Sequence, residues 1–211
     1  MKRNPKEIVD TLLRYHKGVY DPTTSFLQEL TLVHSVKMPT SGGGEFPLNN
    51  SNTKRLVGLS DFQGEQVPPD ANGLIRAIVI RYGDKTCVVA GSIGKDPDAL
   101  DGSTHTTPAI IDYLETRACF PPWLLQSELV LRSSSQEAFR VRIAEFVPSA
   151  APDRVPSEWA KELEKTIKIE GNQTMQLYLN TPEGAYDPSA SKDEYVQVVL
   201  YGVKFAARKN N

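Results

Sequence analysis

The run Leu74 to Tyr82, within GLIRAIVIRYGDKTCVVAG, constrains the fold more than any other stretch of the chain. It is apolar at odd and even positions alike, broken only by Arg76 and Arg81. Successive side chains of a strand point to opposite faces, so such a run needs cover on both sides. It reads as a central strand. The polar turn around Gly83–Asp84 then returns the chain through CVVA, Cys87 to Ala90, as an antiparallel partner. EYVQVVLYGVKFAA, Glu194 to Ala207, has the same two-sided character.

Other segments alternate more cleanly. Leu30, Leu32, His34, Val36 and Met38 share one parity, and Thr31, Val33, Ser35 and Lys37 share the other. That is a strand with one buried face. SELVLR, EAFRVRIAEFV and TMQLYLN read as further strands, and KRLVGL as a short one. The 14 glycines and 15 prolines punctuate these runs and favour turns over a helical bundle. Three helices are expected. Asn4, Pro5 and Glu7 start one that carries Ile8, Val9, Leu12 and Leu13 on a single stripe. Thr107–Pro108 starts a second, which CFPPW ends, and Ser157 a third through Trp159, Ala160, Leu163 and Ile167. The fold class is therefore mainly β: an antiparallel sandwich, jelly-roll-like, with two or three short helices and an N-terminal helical arm. The glycine-containing loop PTSGGGEFPLNNSNT divides an arm, residues 1–53, from a body, residues 54–211.

Charge narrows the partners. The chain has 211 residues, with 24 basic and 26 acidic side chains, a net charge of −2. A protein that wraps nucleic acid by its backbone carries a large positive excess, so the balance gives no strong nucleic-acid signal. No run reaches the roughly 20 apolar residues of a membrane span. MKRNPKEIVD lacks the apolar segment of a secretory signal, so synthesis in the cytoplasm is expected. In that compartment Cys87 and Cys119 read as small buried thiols, and the NNS and NQT sequons at Asn49 and Asn172 as chance matches.

No motif for catalysis, metal or nucleotide stands out, and no cofactor is expected. His16 and His34 sit on apolar stripes and read as packed, hydrogen-bonded histidines. His105 in GSTHTTP, near Ser103 and Asp101, is the best hydrolase candidate, but its order and spacing match no triad. Asp96, Asp98 and Asp101 miss calcium-loop spacing. The glycines of TSGGGEFP and AGSIGKD precede neither a helix nor a P-loop Lys–Ser pair. Arg76, Arg81, Arg140 and Arg142 punctuate strands, so converging on one face they would bind an anion or a partner.

The layout of strands behind an extended N-terminal segment resembles the jelly-roll coat subunits of viruses. The resemblance is one of layout and rests on no diagnostic residue. It implies a non-enzymatic structural subunit that self-assembles into a homo-oligomer or shell, as in a virion, alone or with other structural proteins. Ile8, Leu12, Leu13 and Phe26 are the expected assembly contacts, since each large apolar side chain buried on a neighbour contributes roughly 1.5–3 kcal/mol. The alternatives are a carbohydrate- or small-ligand-binding sandwich, with Trp123 and tyrosines as its platform, and the His105 hydrolase.

Overall fold

Pairing between its first and last long strands organises this chain. The computed structural model describes residues 25–39, 43–84, 120–134, 136–147, 160–182 and 194–207. Their strands are β1 (Ser25–Lys37), β2 (Gly44–Pro47), β3 (Gly73–Asp84), β4 (Glu128–Ser133), β5 (Gln136–Arg142), β6 (Lys161–Ile169), β7 (Met175–Thr181) and β8 (Glu194–Ala207). A short helix α1 (Pro122–Gln126) precedes β4, and a 3-10 turn (Ile143–Glu145) follows β5. All strand pairs are antiparallel: β1 with β8, β2 with β7, β3 with β6, β4 with β5. Those are the pairs of one long hairpin whose tip is β4–β5. Two further pairings, β8 with β3 and β7 with β4, roll that hairpin into two sheets. Their orders are β1-β8-β3-β6 and β2-β7-β4-β5.

The two sheets share one apolar cluster, as in a sandwich. The first contributes Leu30, Leu32, Ile75, Ile78, Ile80, Ile167, Val196, Val198 and Leu200, and the second Leu129, Leu131, Met175, Leu177 and Leu179. Central strands β3 and β8 are buried on both parities: Val79 as well as Ile78 and Ile80, and Tyr195, Gln197 and Val199 as well as Val196 and Val198. One detail of β3 is invisible to a period-2 reading. Its register against β8 slips between Ile75 and Ala77, so Arg76 is the extra residue of a bulge there, and at the same place the pairing with β6 jumps from Ile167 to Glu162. The bulge brings Ile75 and Ile78, of opposite parity, into the same core and leaves Arg76 exposed. Beside it the β3 and β8 backbones approach closely. A Cβ on Gly202 would lie 2.0 Å from the Leu74 carbonyl oxygen, and one on Gly73 2.0 Å from that of Val203.

Two expectations are corrected. The helix expected from Ser157 through Ile167 is strand β6 from Lys161 onward. Leu163 and Ile167 have helical spacing, but Ile167 and Ile169 are buried two apart, with charged Lys168 between them. Pairing with β3 decides the conformation, helped by β-branched Thr166, Ile167 and Ile169. Pro122 of CFPPW starts α1, at a position where a missing N–H costs nothing, and the helix that CFPPW is expected to end lies outside the described residues. KRLVGL forms a turn closed by a bridge between Leu56 and Ser60, not a strand. The expected first helix, the helix at Thr107 and the returning strand CVVA lie outside the described residues. β1 and β2, within the expected 1–53 arm, are members of the two sheets.

Residues 48–72 cross between the sheets and are pinned by two buried polar side chains. Asn49 continues the ladder beyond the end of β2. Its Nδ2 donates to the Met175 carbonyl (2.8 Å), and its Oδ1 accepts from the Leu177 N–H (2.7 Å). That amide is buried, with a hydrogen bond at its nitrogen and another at its oxygen, which leaves it inaccessible as a glycan acceptor in the folded chain. His34, on β1, has Nε2 2.9 Å from the Leu48 carbonyl and Nδ1 2.9 Å from Ser60 Oγ. A carbonyl only accepts, so the neutral ring carries its proton on Nε2, and Ser60 donates to Nδ1. Phe62 packs edge-on against the imidazole. Burial pushes the His34 pKa below its ordinary 6.5, opposed by the Leu48 hydrogen bond.

Two stability predictions follow from these side chains. Asn49→Ala strands a buried N–H and a buried carbonyl, so it costs about 2–4 kcal/mol, read from urea midpoints; a loss under about 1 kcal/mol contradicts the bridging role. His34 makes stability fall with acid. The unfolded chain takes up the proton first, near pH 6.5, and the folded chain at a lower pH. The His34 contribution is therefore complete above that pH and declines as pH drops through the window, by up to about 1.4 kcal/mol per pH unit. The stability gap between the parent and His34→Gln narrows from pH 7 to pH 5 on the order of that slope; a constant gap refutes it. Asp70 and Glu137 act in a separate, more acidic window, since Lys204 and Arg140 hold their carboxyl groups below the ordinary carboxylate values.

Candidate assembly surface

Among the described residues β1 is an edge strand, and its outer edge is used along only part of its length. At Val33 the N–H donates to Asp61 Oδ2 (2.7 Å), and the carbonyl accepts from the Asp61 N–H (2.9 Å). At Ser35 the N–H donates to the Leu59 carbonyl (2.8 Å). Odd-numbered residues of β1 therefore direct their backbone groups outward, away from β8. The β1–β8 register runs from Ser25↔Ala207 to Lys37↔Tyr195 without a shift, so the alternation holds throughout. Leu27, Glu29 and Thr31 thus present outward N–H and C=O groups, and no described residue pairs with them. Side-chain patterning carries no signal for this, because an unpaired ladder belongs to the backbone.

Three large apolar side chains stand exposed nearby or on the covering segment. Phe26 on β1 is 40% exposed, Leu56 51%, and Val57 fully. Phe26 shares the parity of core residues Leu30 and Leu32 but lies toward the strand's N-terminal end, where cover runs out. Leu56 and Val57 occupy the tight turn closed at Ser60, after exposed Lys54 and Arg55. Of the expected contacts Ile8, Leu12, Leu13 and Phe26, only Phe26 falls within the described residues.

The outer face of the second sheet has a different character. Arg132 grips the Glu45 carboxylate with both terminal nitrogens (3.0 and 2.8 Å), and its guanidinium carbon lies 4.5 Å from the Tyr178 ring centre. Arg140 bonds Glu137 through Nε and one terminal nitrogen and Glu128 through the other. Val130, which pairs with Tyr178 and Arg140, is wholly buried beneath this outward layer. The hydrogen bond from Arg140 lowers the Glu137 pKa, and the two carboxylates raise that of Arg140. Charge on this face is largely neutralised within it. These pairs are solvent-exposed, so each contributes little to stability.

The four arginines singled out by sequence do not share a face. Arg76 and Arg81 are on β3, Arg140 and Arg142 on β5 of the other sheet. Arg81 donates to Gln197 (2.9 Å), which donates to Ser35 (2.9 Å), a polar chain across β3, β8 and β1. Arg142 lines an open groove of about 580 Å³ with Pro122, Leu125, Gln126, Ala144 and Pro182. Trp123 beside it is buried, as is Tyr82, and Tyr178 lies under Arg132. His105 and the acids at 96–101 lie outside the described residues. Among the described residues no three His, Cys, Asp or Glu side chains cluster to hold a metal, and no helix is long and apolar enough to cross a membrane.

Comparison of the chain with protein-family models, with curated proteins and with solved structures finds no match.

Proposed function

We propose that this chain is a structural subunit that self-assembles through a jelly-roll body into a homo-oligomeric shell, as virus coat subunits do. The strand pairing carries this reading. Pairs one with eight, two with seven, three with six and four with five among the described strands, in two four-stranded sheets, are the pairing expected of a double-sheet jelly roll and support it. The same architecture serves lectins, so fold alone does not choose between shell and receptor. The distribution of side chains favours assembly. Trp123 and Tyr82 belong to the core cluster, and Tyr178 is stacked beneath an arginine, which argues against them as sugar platforms. Phe26, Leu56 and Val57 instead stand exposed at the periphery, where contact with another subunit buries them. Each contributes roughly 1.5–3 kcal/mol when so buried, and repetition by symmetry multiplies the gain.

The second reading, a small-ligand or glycan module, draws on the groove beside Arg142. Light scattering after size exclusion, together with electron microscopy of the purified chain, separates the two. The shell reading expects multimers of defined mass, and Val57→Asp moves them toward smaller species without lowering the urea midpoint. A chain that stays monomeric at high concentration and binds glycans saturably refutes it.

A further inference from the structure

We infer that the open half of the β1 edge pairs with the same edge of a second copy, joining two four-stranded sheets into one eight-stranded sheet across a two-fold axis. This rests on the self-assembly reading and specifies the contact. The outward ladder at Leu27, Glu29 and Thr31 continues the row that Leu59 and Asp61 already use at Ser35 and Val33. An unpaired strand edge is a template for another strand, and natural monomers blunt it with proline, bulges or cover. β1 has no proline and no bulge, and among the described residues its cover ends at Val33. A second copy fits because an antiparallel edge is self-complementary: residues that face outward on one strand meet outward-facing residues on the other.

The side chains choose the register. Centring the two-fold on Glu29 sets two glutamates directly opposite, which is unfavourable, and drives the partner strand toward Val33, where Asp61 sits. Centring it on Gln28 avoids both conflicts. Leu27 of each copy then exchanges backbone hydrogen bonds with Glu29 of the other, and Gln28 faces its own counterpart in a non-hydrogen-bonded pair. Phe26, the exposed apolar residue of β1, lies opposite Leu30 of the second copy. Cross-strand apolar pairs of this kind are the unit of sheet stabilisation. The partner thus covers the one large apolar side chain that the strand's own sheet leaves in solvent.

Proline substitution tests the ladder. In the full chain, Leu27→Pro and Glu29→Pro each remove an outward N–H while leaving the β8 ladder intact, a placement that edge strands tolerate. Each raises the concentration needed for assembly on the order of tenfold or more, with the urea midpoint little changed. Gln28→Pro removes an N–H directed at β8 and lowers the midpoint itself. Cysteine substitution tests the register without depending on proline tolerance. Gln28→Cys places two sulfurs across the axis, in reach of a disulfide, whereas Thr31→Cys does not. Mild oxidation therefore links chains through residue 28 and not through residue 31, read by mass spectrometry of the joined peptides. A parent that never assembles fails this inference and the shell reading together. A parent that assembles, tolerates both prolines without dissociating and forms no link at residue 28 fails the edge pairing alone.

Discussion

Closure of β1 on β8 is the constraint on which the rest of the structure depends. Thirteen register pairs join residues near the start of the chain to residues near its end. Every other long-range pair then follows from folding one extended hairpin back on itself. A buried backbone must have all its N–H and C=O groups bonded, and β8 achieves this only between β1 and β3. Without β1, β8 becomes an edge, and its apolar residues Val196, Val198 and Leu200 lose a flanking strand. Pairings so distant in sequence are slow to form, because loop closure must precede any reward from contact. Among the described strand pairs, β4–β5 joins the residues closest in sequence and β1–β8 those farthest apart.

Much of this body was legible because its central strands declare themselves. Apolar residues on both parities of Leu74–Tyr82 and Glu194–Ala207 required cover on two faces, and both strands lie inside the first sheet. Alternation from Leu30 to Met38 likewise identified β1. The misread segments share one property: their local pattern is compatible with two structures, and tertiary pairing decides. β6 carries helical spacing at Leu163 and Ile167 yet pairs with β3. The Arg76 bulge is a backbone event, and its residue looked like one more charged punctuation mark. In sequence Asn49 reads only as a sequon, whereas its amide stands in for a missing strand residue, a role that appears only once β7 lies beside it.

The candidate surface was less legible for a related reason. Phe26 was identifiable as an apolar residue before a strand. Leu27, Glu29 and Thr31 were not, since what they offer is the direction of their backbone groups. That direction is set by the register with β8 and revealed only by Asp61 and Leu59 occupying the other half. Conversely, the four arginines were conspicuous in sequence, yet the sheets separate them into two pairs. Arg140 is neutralised by Glu128 and Glu137, and Arg81 is tied to Gln197.

The proposed association thus draws on a part of the molecule other than those that stabilise the fold. The outer face of the second sheet is laced by ion pairs that bury Val130 and satisfy one another, so it offers a partner little unsatisfied chemistry. The central strands of the first sheet are covered on both faces. Segment 59–61 closes the β1 edge at Val33 and Ser35 and stops there, which limits how far any added strand can slide. A fully open edge accepts strands in many registers and promotes aggregation, whereas a half-covered one admits few. Asp61 therefore has a second consequence beyond anchoring the β2–β3 connection. By occupying both backbone groups of Val33, it closes that part of the β1 edge, so the proposed pairing of two copies would have a defined length and register.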